Sequence, residues 1–234
     1  MPAPLIHRSP LEDVHIPEVP VTEIVLRHAE QRANKPALIE GLTGRSITYG
    51  TMAEEVRRLA GGLKSRGFGN GDVLAHELLL YAGRFTPINR NLIPTGELRS
   101  VEGTPLDFGK STPIGGRIAD SYEQLELAEG YDHNFVLDRD GPGLRPAARV
   151  HEPSTGRILE VHTTEPAVQF YSGNFLDGTL TGKQCRVYKR RRGFCLETQH
   201  YPDSVNHPEF PSTILPPGQT YHSLTVHRFS VDTA

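Results

Sequence analysis

Ala147-Ala148-Arg149-Val150-His151, then Glu152-Pro153-Ser154-Thr155-Gly156, then Arg157-Ile158-Leu159-Glu160-Val161-His162-Thr163: this stretch decides the fold class. Its last segment alternates, with Leu159 and Val161 on one face and Ile158, Glu160 and His162 on the other, the period of two that a strand imposes. The Pro/Ser/Thr/Gly composition before it suits a hairpin loop, and Ala147 to His151 supplies the partner strand. Working outward, similar runs predict strands at Leu78 to Tyr81, Phe135 to Leu137, Val168 to Tyr171, Phe194 to Thr198 and Leu224 to Val231. The chain holds 23 glycines and 19 prolines in 234 residues, about half again the usual share, so turns are frequent and long helices few. Many short strands between such turns predict a mainly β protein, a β-sandwich.

Helical signals concentrate before residue 70, which predicts a small α+β segment at the N-terminal side. Thr51 and Glu54 have capping-box spacing, and Met52, Val56, Leu59 and Leu63 recur every three or four residues. Gly67 is placed to end that helix. A second helix is expected over Val21 to Gln31, with Ile24, Val25, His28 and Ala29 on its buried side. Short strands are expected at Ala37 to Glu40 and Arg45 to Tyr49, joined by the Gly41-Leu42-Thr43-Gly44 turn. No internal repeat is visible. The pattern changes near Asp72 to His76, giving domains 1–75 and 76–234.

The net charge of -3 and pI near 6.4 argue against a nucleic-acid partner, whose binding face would be basic. No apolar run reaches the about 18 residues that cross a bilayer, and no signal-peptide pattern opens the chain, so no membrane partner and a cytoplasmic location are expected. Cys185 and Cys195, the two cysteines, are expected to be thiols. The 11 histidines show no paired metal-ligand spacing with cysteine, so no metal site is expected. Lys189-Arg190-Arg191-Arg192 reads as a solvated hairpin turn rather than a localisation or phosphate-binding motif.

The chemistry points to Gly193-Phe194-Cys195-Leu196-Glu197-Thr198-Gln199-His200-Tyr201-Pro202-Asp203. It sets Glu197 in an otherwise apolar strand before a proline-marked turn. Partial desolvation there would raise its pKa and make it a better general base near neutrality. Cys195 is expected to be a buried, inert thiol.

These residues resemble the catalytic strand of the galactose mutarotase (aldose 1-epimerase) family, and the resemblance extends from His76 to Val231. It is carried by His76-Glu77-Leu78, Phe85-Thr86-Pro87, Leu92-Ile93-Pro94-Thr95-Gly96 and Gly103-Thr104-Pro105-Leu106-Asp107-Phe108. It continues through Gly130-Tyr131-Asp132-His133-Asn134-Phe135, the segment Thr164 to Gly178, and Phe210 to Leu215. The resemblance implies a partial galactose-mutarotase-like β-sandwich that interconverts the α and β anomers of aldohexoses such as galactose and glucose. Glu197 matches the family's general base, and Asp132 and Gln169 match sugar contacts. It implies no cofactor and no metal, and a small-molecule aldohexose as partner; oligomeric state is left open.

The family's acid histidines lie in Asn-His-x-Tyr-Phe-Asn-Leu and Leu-His-Gly-Gly segments, and neither occurs in this sequence. Residues from about Ile16 to Ala75 instead resemble the opening of adenylate-forming acyl-CoA synthetases. The carriers are Lys35-Pro36-Ala37-Leu38-Ile39, Ser46-Ile47-Thr48-Tyr49-Gly50, Ala60-Gly61-Gly62-Leu63 and Gly69-Asn70-Gly71-Asp72-Val73. The phosphate loop of those enzymes does not follow. The expectation is thus an isomerase of truncated or chimeric form, its turnover lowered by the 10²–10⁴ that a positioned acid is worth. The alternatives are a noncatalytic sugar-binding remnant and a gene-model chimera with the synthetase fragment.

Overall fold

The computed structural model of the protein describes residues 29–39, 46–65, 73–138, 143–182 and 187–232, with the side chains of 38–39 and 59–65 outside that set. The chain divides into two units, Met1–Gly69 and Asn70–Ala234.

In the first unit, Pro36–Ile39 (β1) pairs antiparallel with Ser46–Thr48 (β2), which leads directly into the helix Tyr49–Ser65 (α1). The expected capping box is corrected here. Thr48 is the cap, its Oγ1 accepting from the Thr51 N–H at 3.2 Å, because the strand ends at Thr48 and holds it outside the helix. Gly50 N–H donates to the Ala33 carbonyl at 3.0 Å, pressing the Gly50–Ala53 face inward. Ala53 is therefore buried, whereas Val56, expected inside, is exposed. Residues 29–34 form turns rather than helix. The remainder of the expected first helix (residues 21–28), the 41–44 turn, Gly67 and the side chains of Leu59 and Leu63 lie outside the described residues.

In the second unit the strands are Glu77–Leu80 (β3), Arg84–Thr86 (β4), Arg99–Ser100 (β5), Thr112–Pro113 (β6), Asp132–Val136 (β7), Arg145–Glu152 (β8), Arg157–Thr163 (β9), Ala167–Tyr171 (β10), Asp177–Thr181 (β11), Val187–Lys189 (β12), Cys195–Gln199 (β13) and Thr225–Val231 (β14). A short helix, Glu123–Leu127 (α2), precedes β7. They build two five-stranded sheets, ordered β13-β10-β7-β4-β5 and β14-β9-β8-β3-β6, and a β11-β12 ribbon.

The predicted hairpin is present, with Glu152 opposite Arg157 and Val150 opposite Leu159. Burial raises the Glu152 carboxyl, but hydrogen bonds from the Ser154 and Thr155 hydroxyls and the Ser154 N–H outweigh it and hold it down at about 2. Gly156 closes the loop at φ +70°, and a Cβ there would lie 2.6 Å from the Asp232 carbonyl, so the position favours glycine on two counts.

Alternation makes the core. Leu78, Leu80, Val150 and Val161 from one sheet meet Phe85, Phe135, Val168 and Phe170 from the other in a single buried cluster. Phe108 lies among the aromatics, its ring centroid 5.0 Å from Tyr131, 5.7 Å from Phe170 and 6.3 Å from Phe135, separations that favour edge-to-face packing. His133 is fully buried on the same face, edge-on to Phe85 at 5.9 Å. Burial pushes its pKa down to about 3.

A neutral buried histidine ties stability to pH. Its folded pKa is depressed below the unfolded value near 6.5, so the unfolded chain binds the extra proton as pH falls through that window. Stability is expected to decline from about pH 6.5 toward pH 3 by up to about 1.4 kcal/mol per unit from this group. Chemical denaturation across that range checks it; His133→Gln should flatten the slope between pH 6.5 and 5, and an unchanged slope contradicts the assignment.

Candidate active site

On the other face of the first sheet Val136 and Ala167 pack into a second small buried cluster with Tyr201 and Phe210, and the remaining side chains of β7, β10 and β13 are mostly polar. In the β7-β10-β13 ladder Tyr171 stands opposite Asp132, and Gln169 stands opposite both Asn134 and Glu197. The alternation that sends His133, Phe135, Val168 and Phe170 into the core therefore delivers Asp132, Gln169, Tyr171 and Glu197 to one open face. They line a cavity of about 320 Å³ together with Leu92, Gln199 and Pro202.

Gln169 Nε2 donates to Asp132 Oδ1 at 2.7 Å, while Gln169 Oε1 is buried with no hydrogen-bond partner among the described residues. An orphaned buried acceptor is costly unless a ligand completes it. Burial raises the Asp132 carboxyl, and the Gln169 hydrogen bond offsets part of the rise. Tyr171 Oη accepts from the Phe175 N–H at 3.0 Å, and the two rings stack at 6.0 Å and 21°.

The support beneath Asp132 is a buried polar cage. Asn174 Nδ2 donates to the Ala128 and Tyr131 carbonyls, each at 2.9 Å, and Ser172 Oγ donates to Asn174 Oδ1 at 2.6 Å. Gly130 sits at φ +142° with Asn174 Oδ1 only 2.3 Å from where a Cβ would be, so only glycine admits this approach. On the far rim Leu92 holds a left-handed φ of 61°, its loop pinned by Asn89 Oδ1, which accepts from the Asn91 N–H at 2.8 Å.

Two sequence expectations are corrected at this site. Glu197 is exposed rather than sunk in apolar surroundings. Strand β13 is the sheet edge, and only Leu196 and Thr198 turn toward the interior while Glu197 faces the open cavity. Cys195 shares that outer face and is an exposed free thiol, pushed up by burial of its sulfur and then by the neighbouring Glu197 charge. Cys185 lies outside the described residues. The basic run forms the expected exposed turn, but not a fully solvated one: Arg190 and Arg191 both donate to the Glu129 carbonyl, at 2.8 and 3.0 Å.

The structure brings Asp132, Gln169 and Glu197 together. The sequence reading missed Tyr171, Gln199, Leu92 and Pro202. Tyr171 and Gln199 were within reach of it, since each lies two residues along the same strand from a named site residue. No histidine is among the residues lining the cavity. His133 faces the core, and His200 turns away to Glu165, Nδ1 to Oε2 2.8 Å, beside a different cavity. No helix among the described residues is long and apolar enough to cross a membrane.

Residues 64–228 match the family model described as aldose 1-epimerase. Galactose mutarotase of Rattus norvegicus is 47% identical over 165 residues, covering 70% of this chain and 46% of that protein. Aldose 1-epimerase of Escherichia coli (strain K12) is 40% identical over 160 residues, covering 68% and 46%. A solved aldose epimerase homologue from C. elegans matches with a TM-score of 0.60 at 27% identity, over 69% of this chain and 48% of that one. The chain spans about half the length of the curated relatives it matches.

The raised Asp132 carboxyl makes a second prediction. Its folded pKa exceeds the unfolded value near 3.9, so its contribution favours the fold below that value and is lost as pH rises through the folded pKa. Asp132→Asn is expected to leave the melting temperature at pH 7 unchanged or slightly raised, the gain kept small because the group is only half-buried. Thermal unfolding at pH 7 checks this, and a loss of several degrees contradicts it.

Proposed function

The chain belongs to the aldose 1-epimerase family, and on that premise we propose that the Asp132–Gln169–Glu197 cavity binds an aldohexose such as galactose or glucose and interconverts its anomers. The observation that carries this reading is the convergence of the three side chains, from three strands, on one cavity. Glu197 takes the proton of the anomeric hydroxyl as general base. Asp132 accepts from a sugar hydroxyl, and Gln169 Oε1 supplies a second acceptor. Protonation of the ring oxygen opens the ring, rotation about one carbon–carbon bond turns the aldehyde, and reclosure gives either anomer. The reading includes no metal or cofactor step, and a cytoplasmic location is part of the proposal.

A second reading is favoured by one observation, the lack of histidine among the cavity's lining residues: a sugar-binding protein with turnover lowered or lost. Polarimetry with α-D-galactose and calorimetric titration with galactose separate the two. In a chain with turnover, Glu197→Gln is expected to slow mutarotation at least about 10²-fold; an unchanged rate removes Glu197 as the base. Asp132→Asn is expected to weaken galactose binding about tenfold, as for a lost hydrogen bond to a charged group.

We further propose that the residues before about 75 form a separate segment of adenylate-forming-enzyme type, giving the chain a chimeric form. The division at Gly69/Asn70 supports a separation, while the family match reaching back to residue 64 draws its edge toward the N-terminal side. ATP is expected to leave the melting temperature unchanged; a rise, which only a ligand bound to the folded state produces, would restore nucleotide binding to this segment.

A further inference from the structure

We propose that Glu165, a buried carboxylate outside the cavity, is a positioning residue for the sugar site: through Thr198 and His200 it fixes the end of β13 and so sets Glu197 and Gln199 against the sugar. This rests on the reading of the cavity as an aldohexose site and deepens it by naming what holds the site's edge strand in place.

Strand β13 needs such a support. It is the edge of its sheet, paired on one side only, to β10. That ladder fixes its register but leaves the strand free to roll about its axis and to fray at its end. Gln199, the last residue of β13, lines the cavity together with Glu197. The residues that bracket Gln199 are Thr198 and His200, whose side chains point the other way by the strand's alternation. Each of the two is tied to Glu165.

One tie is direct. His200 Nδ1 lies 2.8 Å from Glu165 Oε2. An ionised carboxylate only accepts, so Nδ1 carries the hydrogen and donates it. The other tie runs through hydroxyls. The Glu165 N–H donates to Thr163 Oγ1 at 3.0 Å, Thr163 Oγ1 lies 3.0 Å from Thr225 Oγ1, and Thr225 Oγ1 lies 2.7 Å from Thr198 Oγ1. Thr163 ends β9 and Thr225 begins β14, so this relay joins the edge of the first sheet to the second.

Glu165 is itself held from several sides. It sits in the turn between β9 and β10 with 4% of its surface exposed. The Tyr221 hydroxyl donates to its Oε1. Burial raises the carboxyl, but hydrogen bonds from Ser223, Tyr221 and His200 outweigh it and hold it below its ordinary value. A carboxylate is costly to bury unless it is bonded in this way. Once bonded, it is a fixed acceptor from which the end of β13 hangs.

The test uses the full chain and NMR titration with galactose, the amide spectrum reporting that each variant is folded. Glu165→Leu keeps the bulk of the side chain and removes its acceptors. His200→Phe keeps an aromatic ring and removes the donor, whereas His200→Asn keeps an N–H donor close to the place of Nδ1. Glu165→Leu and His200→Phe are each expected to raise the galactose Kd about tenfold, as for one mis-set hydrogen bond to the sugar. The double variant is expected to lose no more than either alone, because both break the same link. His200→Asn is expected to stay within about twofold of the parent, a rescue that follows from the donor and not from filled space. A parental Kd in His200→Phe overturns the proposal whatever Glu165→Leu does, so the test stands even if the buried substitution prevents folding. A His200→Asn as weak as His200→Phe overturns it, and so do losses that add in the double variant. A parent chain that binds no galactose removes the sugar site and this proposal with it, a failure seen in the parent alone.

Discussion

The register of β10 between its two neighbours is the constraint on which the rest depends. Ala167-Val168-Gln169-Phe170-Tyr171 is paired on both edges, to β7 and to β13, and its side chains alternate without interruption. Val168 and Phe170 are fully buried, so a slip of one residue would carry Gln169 and Tyr171 into the core and expose a phenylalanine. Burial of a side chain of that size is worth about 1.5–3 kcal/mol, against which a shifted hydrogen-bond ladder gains nothing. The same apolar packing that holds the sheet together thereby fixes where the carboxylates, the amide and the phenol stand.

The two faces of β7 show how differently one strand treats adjacent residues. His133 is shut into the aromatic core and held neutral by burial. Asp132, one residue earlier, is left half-buried at the cavity with a carboxyl that burial raises. Its partial desolvation and the orphaned Gln169 Oε1 are both unfavourable in the free protein. They are the kind of unmet demand that a polyol, with its many donors, satisfies on binding.

The alternation of Arg157 to Thr163 and the Pro/Gly loop before it were enough to place the hairpin, and the strands at β3, β7, β10, β13 and β14 lie within a few residues of where the pattern puts them. Asp132, Gln169 and Glu197 were singled out through three separate segments that resemble the family's, and the structure brings these residues to one cavity, while their roles belong to the proposal. What failed was the environment of Glu197 and Cys195, because apolar neighbours in sequence do not reveal that a strand lies at a sheet edge with its odd-numbered residues facing solvent. The cap at Thr48 was hidden for a similar reason: the end of β2, a tertiary fact, decides which threonine stands outside the helix. Tyr171 carried a strand-period signal, two residues from Gln169, but Leu92 and Pro202 reach the cavity from loops whose path no local pattern specifies.

The central claim is that one sheet face, set by the β10 register, presents a sugar site built from Asp132, Gln169, Tyr171 and Glu197. The most direct measurement is backbone-amide NMR of the isotopically labelled chain titrated with galactose. The account predicts saturable shifts clustered on residues 131–133, 168–172 and 196–198, with those of β8 and β9 unmoved. Shifts confined to other strands, or no shifts at saturating sugar, would contradict it.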